Sequence, residues 1–137
     1  MTFVLDTNII SFYLKGHELV ANNIASALIK GHNILIAPIA YYEIKRGLMA
    51  VNSQQRLKEF NSFCELFGVG QFNNSILDAA AEIYVEQRKK GHTIDDADIF
   101  IAAYCRNQQH TLVTNNIKHF EHIAGLTLLD WTLPHPA

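Results

Sequence analysis

The sequence predicts an α/β fold of three layers, a central parallel sheet of about four to five strands flanked by helices. Three observations carry this expectation. Short apolar runs such as Phe3-Val4-Leu5 and Ile34-Leu35-Ile36 are continuous rather than alternating, the pattern of strands buried on both faces. Between the runs, apolar residues recur at helical spacing. Polar residues follow the runs directly: Asp6-Thr7-Asn8 after the first, and Thr114-Asn115-Asn116 after a later one.

The elements follow in chain order. After the first strand, Val20, Ile24, Ala27 and Leu28 fall on one helical face, and Gly31 stops that helix. Ile34-Leu35-Ile36 is the second strand. Pro38 suits a helix start, where its missing N–H costs nothing, and the helix runs through Tyr41-Tyr42-Glu43-Ile44 toward Gly47. Leu57, Phe60, Cys64 and Phe67 continue helical spacing, and Gly68-Val69-Gly70 is expected as a weak edge strand. Ile76, Ala79, Ala80, Ile83 and Gln87 mark a longer helix stopped near Gly91. Asp95 is read as the N-cap of the next helix, with Asp98 as the acid of a capping box. Thr111-Leu112-Val113-Thr114 and Leu126-Thr127-Leu128-Leu129 are the remaining strands, and Pro134 and Pro136 lie in a tail.

A chain of 137 residues fits a single domain spanning 1–137. Its 49% hydrophobic content argues against disorder, which goes with apolar-poor, highly charged composition. Eleven basic and thirteen acidic residues give a formal charge of −2, so bulk positive charge is not what would hold nucleic acid. Two cysteines, Cys64 and Cys105, build neither a disulfide framework nor a four-thiolate zinc site. No apolar run reaches the ~20 residues of a membrane span, and the first residues lack a signal-peptide pattern. A cytoplasmic protein is the expectation.

Three carboxylates stand in unusual company. Asp6 ends an apolar strand, Glu43 lies between Tyr42 and Ile44, and Asp98 leads Ile99-Phe100-Ile101-Ala102-Ala103. Carboxylates set against buried elements are costly unless paired, hydrogen-bonded or bound to a cation. If the three meet, their repulsion calls for a hard, oxygen-seeking cation such as Mg²⁺ or Mn²⁺, which suits phosphodiester hydrolysis. Each has an ordinary reading as well: Asp6 as a helix cap, Glu43 as an i,i+3 partner of Arg46, Asp98 as a first-turn acid. Periodicity leaves both readings open.

The same residues carry a resemblance. Asp6-Thr7-Asn8 after a first strand resembles the opening motif of PIN domains. Glu43-Ile44-Lys45-Arg46-Gly47 resembles their second motif, Asp98-Ile99-Phe100-Ile101-Ala102-Ala103 the third, and Leu112-Val113-Thr114-Asn115-Asn116 with His119-Phe120 the fourth. In order and over nearly the whole length, the chain is similar to the VapC toxins of type II toxin–antitoxin pairs. The resemblance implies a PIN-like fold, metal-dependent endoribonuclease activity, an RNA substrate, a VapB-like antitoxin and a homodimer. It places Asp6, Glu43 and Asp98 as the catalytic and metal-holding acids, with Thr7 or Thr114 in support. The fourth acidic position of many relatives falls on the neutral Asn116, and His119 stands where many carry Asp. For the dimer, Phe12, Tyr13, Leu14, Tyr41 and Tyr42 are more apolar surface than so small a domain readily hides.

Two alternatives stand beside this: a catalytically inactive PIN-fold module that binds RNA or protein, and a phospho-receiver domain. Against the receiver, Asp6 is followed by Thr7-Asn8 rather than by a second acid. His119 and His122, spaced i,i+3, are minor candidates for metal ligands; His17, His32, His92, His110 and His135 fall near turns and read as solvated. Lys45, Arg46 and Arg106 are expected to contact RNA phosphates. Arg88-Lys89-Lys90 reads as the solvated basic end of a helix, and Asp95 and Asp96 as extra acids near the site.

Overall fold

Strand β1 (Thr2–Leu5) lies inside the sheet, with β2 (Asn33–Ile36) hydrogen-bonded on one side and β3 (Thr111–Val113) on the other. Strand β4 (Thr127–Leu129) extends the sheet beyond β3, and all pairings are parallel. The computed structural model describes residues 1–134; His135 and Pro136 lie outside them. β3 is buried throughout and β1 from Phe3 onward, and Val4, Leu5, Leu112 and Val113 have no accessible surface.

Seven helices connect and cover the strands: α1 (Thr7–Leu14), α2 (Glu18–Ile29), α3 (Pro38–Ala50), α4 (Gln54–Phe67), α5 (Asn74–Lys89), α6 (Asp96–Gln108) and α7 (Ile117–Phe120). They contribute Ile9, Ile10, Ile24, Phe60, Ile83 and Ile99 to the core, and α5 packs along α6. No helix among the described residues is long and apolar enough to cross a membrane. The strand order β2-β1-β3-β4 means that the chain leaves β1 toward one edge, then crosses back to the other side. The reversal opens a crevice past the carboxyl ends of β1 and β3, the usual ligand position in open parallel sheets. Asp6 and Thr114 are the residues directly after those two ends.

Local departures from the sequence reading have physical causes. Val69 makes a single parallel bridge to Ile36 rather than a fifth strand, because the chain leaves the sheet again at once. Helix α3 continues through Gly47 to Ala50; one interior glycine costs only about 1 kcal/mol. His17 is not free in a turn but caps α2, its Nδ1 accepting from the Val20 N–H at 3.3 Å. Asp95 sits at the N-cap of α6 without a side-chain cap bond, and no capping box forms because the Asp98 carboxylate is engaged by His119.

Gly70 marks a close approach. A Cβ there would lie 2.4 Å from the ring of Tyr104, which is 5% exposed and has little room to move. Gly70→Ala is expected to destabilise the protein by about 1–3 kcal/mol, the usual cost of overpacking. A urea melt measures this, and an unchanged midpoint would mean that Tyr104 yields.

Candidate functional site

Asp6 occupies two structural roles at once. It ends β1, its N–H donating to Val113 O at 3.2 Å, and its Oδ1 accepts the Ile9 N–H at 3.1 Å as the cap of α1. The side chain is buried, and its pKa is raised from 3.8 to about 6. Burial is the main cause; Thr114 and the Ile9 N–H oppose it as hydrogen-bond donors, while Asp98 and Glu43 add repulsion. A cap that is also deeply buried next to two acids is a poor choice if capping were its only task.

Glu43 arrives from α3, half-buried, with Oε1 accepting the Thr7 hydroxyl at 2.7 Å. Arg46 stands 3.9 Å from its other oxygen, mostly in solvent, and contributes little there. Asp98 arrives from the first turn of α6, where the helix dipole favours a carboxylate. Burial raises its pKa, His119 opposes that as hydrogen-bond partner and charge, and Asp95 and Glu43 add repulsion. His119 Nδ1 lies 3.2 Å from Asp98 Oδ2. Three carboxylates, one past the end of β1, one from within α3 and one from the first turn of α6, thus repel one another beside the crevice.

The neutral end of β3 forms the fourth side. Asn8 Nδ2 donates to Asn115 Oδ1 at 3.4 Å, and the Asn116 N–H donates to Thr114 Oγ1 at 3.0 Å. Asn116 therefore braces Thr114, the donor to Asp6, through its backbone. Asn115 belongs to the Thr114-Asn115-Asn116 run that the sequence already places past a strand end, and its contact with Asn8 is the detail the structure adds.

Other candidates are placed elsewhere. Arg106 is not free for phosphate: its guanidinium bonds Glu86 at 3.0 Å and the Ala124 carbonyl at 3.1 Å. Lys45 bonds the Tyr41 hydroxyl and Asn61, and Arg46 lies over the Tyr42 ring. His119 and His122 do not form a ligand pair: His119 turns to Asp98, whereas His122 stacks on His92 with ring centroids 4.3 Å apart. Phe12, Tyr13, Leu14 and Tyr41 are partly buried against the core, and of the five apolar residues Tyr42, 57% exposed, is the one mostly in solvent.

Among the described residues, no group of three acidic, histidine or cysteine side chains is placed to hold a metal ion by itself. Mg²⁺ does not need one, since it keeps several waters and takes one or two carboxylates. The all-oxygen donor set and the buried Asp6, its pKa raised mainly by burial, fit that mode of binding. Two cavities flank the acids: one of about 230 Å³ reaches Thr7 and Glu43, and one of about 430 Å³ reaches Asp98. A larger one, about 510 Å³ between α1 and α4, includes none of them.

Compared with known proteins, the chain matches the family model of the PIN domain over residues 3–126. It is 30% identical to Ribonuclease VapC2 of Rickettsia felis over 132 residues, 96% of this chain and 98% of that protein. It is 25% identical to the tRNA(fMet)-specific endonuclease VapC of Shigella flexneri, over 96% of this chain and 99% of that one. Among solved structures, VapBC2 of Rickettsia felis bound to a promoter DNA fragment superposes with a TM-score of 0.89 at 28% identity, covering 96% of this chain and 99% of the other.

Proposed function

The chain belongs to the PIN-domain family, and on that premise we propose that it is a VapC-type endoribonuclease, the toxin of a toxin–antitoxin pair. What supports the reading is the mutual repulsion of Asp6, Glu43 and Asp98 beside the switch-point crevice, with Asp6 directly past the end of β1. The partner that goes with it is a VapB-like antitoxin, and the substrate is RNA. Three retained acids favour activity over an inactive binding module.

Asp6, Asp98 and Glu43 are the residues that would hold Mg²⁺ or Mn²⁺. Such a cation supplies an activated water and offsets charge on the phosphoryl oxygen. The chain's own residues do the rest. Thr7 fixes the Glu43 carboxylate, Thr114 and the Ile9 N–H orient Asp6, and His119 steadies Asp98. Glu43, the most solvent-accessible of the bonded acids beside the smaller cavity, is placed to accept a proton from water entering it.

Purified protein should cut RNA with Mg²⁺ or Mn²⁺ and not in EDTA. Equal cleavage in EDTA would overturn the metal-dependent mechanism. Expression alone should arrest growth, and co-expression of the cognate antitoxin should restore it. The reading also includes a homodimer; light scattering at tens of micromolar should give twice the chain mass, and a monomer would remove that part.

A further inference from the structure

The wall of the cavity beside Asp98 is built around a pair of imidazoles. His92 and His122 stack with planes 10° from parallel, and both line the cavity with His119, Lys118 and Asp98. The pair is held in place rather than adrift. Gln87, 2% exposed, ties both backbones: its carbonyl accepts the His92 N–H at 2.9 Å, and its Nε2 donates to the His122 carbonyl at 3.3 Å. Lys90 Nζ donates to the same carbonyl at 3.1 Å. Gly91, at φ +76°, makes the reversal that brings His92 back over the helix end.

The depression does not end there. A neighbouring cavity of about 300 Å³ shares Gln87, Gly91 and His92 with the first and reaches Tyr84 and Arg88. Arg88 lies over the Tyr84 ring and bonds its hydroxyl at 2.8 Å. From the acids outward, the surface therefore offers a histidine on the carboxylate, two stacked imidazoles with Lys118 in the same cavity wall, and a stacked arginine–tyrosine pair. Flat rings interleaved with cations are what a single nucleic-acid strand needs: faces for its bases and charge for its phosphates. A duplex hides its base faces and cannot use them.

We propose that this groove, from Asp98 over the His122–His92 stack to Arg88, is the track for an unpaired stretch of the RNA substrate, with a base stacked on the imidazole pair. The 4.3 Å ring spacing leaves no room between the imidazoles, so the base lies on an outer face of the pair. Lys118, which lines the same cavity, meets a flanking phosphate. The cleavage site then falls in a loop or single strand rather than within a helix. The identity of the strand as substrate rests on the ribonuclease reading; the track itself does not.

The test uses fluorescein-labelled decauridylate and fluorescence anisotropy, with the full chain in EDTA so that binding is read without cleavage. Wild type is expected to bind, and His92→Ala and His122→Ala to weaken binding about tenfold, the scale of one lost base–aromatic contact. His122→Phe should bind as wild type does, because the stacking face is kept. The same variants with Mn²⁺ should raise KM about tenfold and leave kcat within about twofold. No binding by wild type, unchanged binding in both alanine variants, or a His122→Phe variant as weak as His122→Ala overturns the track. A loss confined to kcat overturns it too, since it would trace to disturbed acids. Binding that follows this pattern without any Mn²⁺-dependent cleavage supports the track and removes the ribonuclease reading.

Discussion

Asp98→Asn is expected to lose cleavage by about 100-fold or more while its melting temperature holds or rises. Residues one step removed from a metal typically cost 10–100-fold when changed, so a direct ligand should cost at least the upper end of that range. The amide keeps the shape of the carboxylate and one oxygen to receive His119, whose Nδ1 is 3.2 Å away. What disappears is one negative charge facing Glu43 and Asp95, and with it a repulsion that raises the Asp98 pKa. Because the Asp98 pKa is raised on balance, relief from burial and repulsion outweighs the lost attraction to His119 and the helix dipole, while the cation loses a ligand. Cleavage of RNA in Mn²⁺ and a circular-dichroism melt, both against wild type prepared in parallel, measure the two halves. Full activity in Asp98→Asn would sink the assignment of Asp98 as a metal-holding acid.

How far the site was legible follows from how far apart in the chain its parts lie. The sheet could be read because burial on both faces writes continuous apolar runs into a few consecutive residues, as in Phe3-Val4-Leu5. Asp6 could be singled out because it breaks such a run at its end. The contacts that decide roles join distant positions and leave no local pattern. Arg106 looked free beside Asp98 in sequence, yet Glu86, 20 positions earlier, holds it. His92 read as a solvated turn histidine and His122 as a minor metal-ligand candidate beside His119, until Gln87 and its 35-residue span to His122 brought the two into one stack. The capping box at Asp95 and Asp98 satisfied a local rule, but the carboxylate went to His119 across the fold instead. Short-range signals lose where a tertiary partner offers the same group a stronger bond.

The largest effect on stability is expected at Asp6. In the folded protein its pKa is about 6, against 3.8 ordinarily, because burial and two neighbouring acids disfavour the charged form. Well below pH 3.8 the carboxyl is neutral in both the folded and unfolded chain, and it costs the fold nothing. Between pH 4 and 6 the unfolded chain gives up the proton while the folded chain retains it, so the folded state binds more protons and stability falls as pH rises. Above about pH 6 the loss is complete, and a displacement of this size corresponds to about 3 kcal/mol. Asn at position 6 removes the titration but keeps an oxygen for the Ile9 N–H, so the cap of α1 survives. Asp6→Asn should therefore gain up to about 3 kcal/mol over wild type at pH 8 in EDTA and far less at pH 4. Mn²⁺ should then invert the comparison in part: it binds the folded wild type and stabilises it, whereas the variant, short of a ligand, gains less. Urea melts at pH 4 and pH 8, with EDTA or Mn²⁺, read all four quantities. A variant less stable than wild type at pH 8 without metal would mean that the Asp6 charge is compensated within the fold, and that the acids need no cation to face one another.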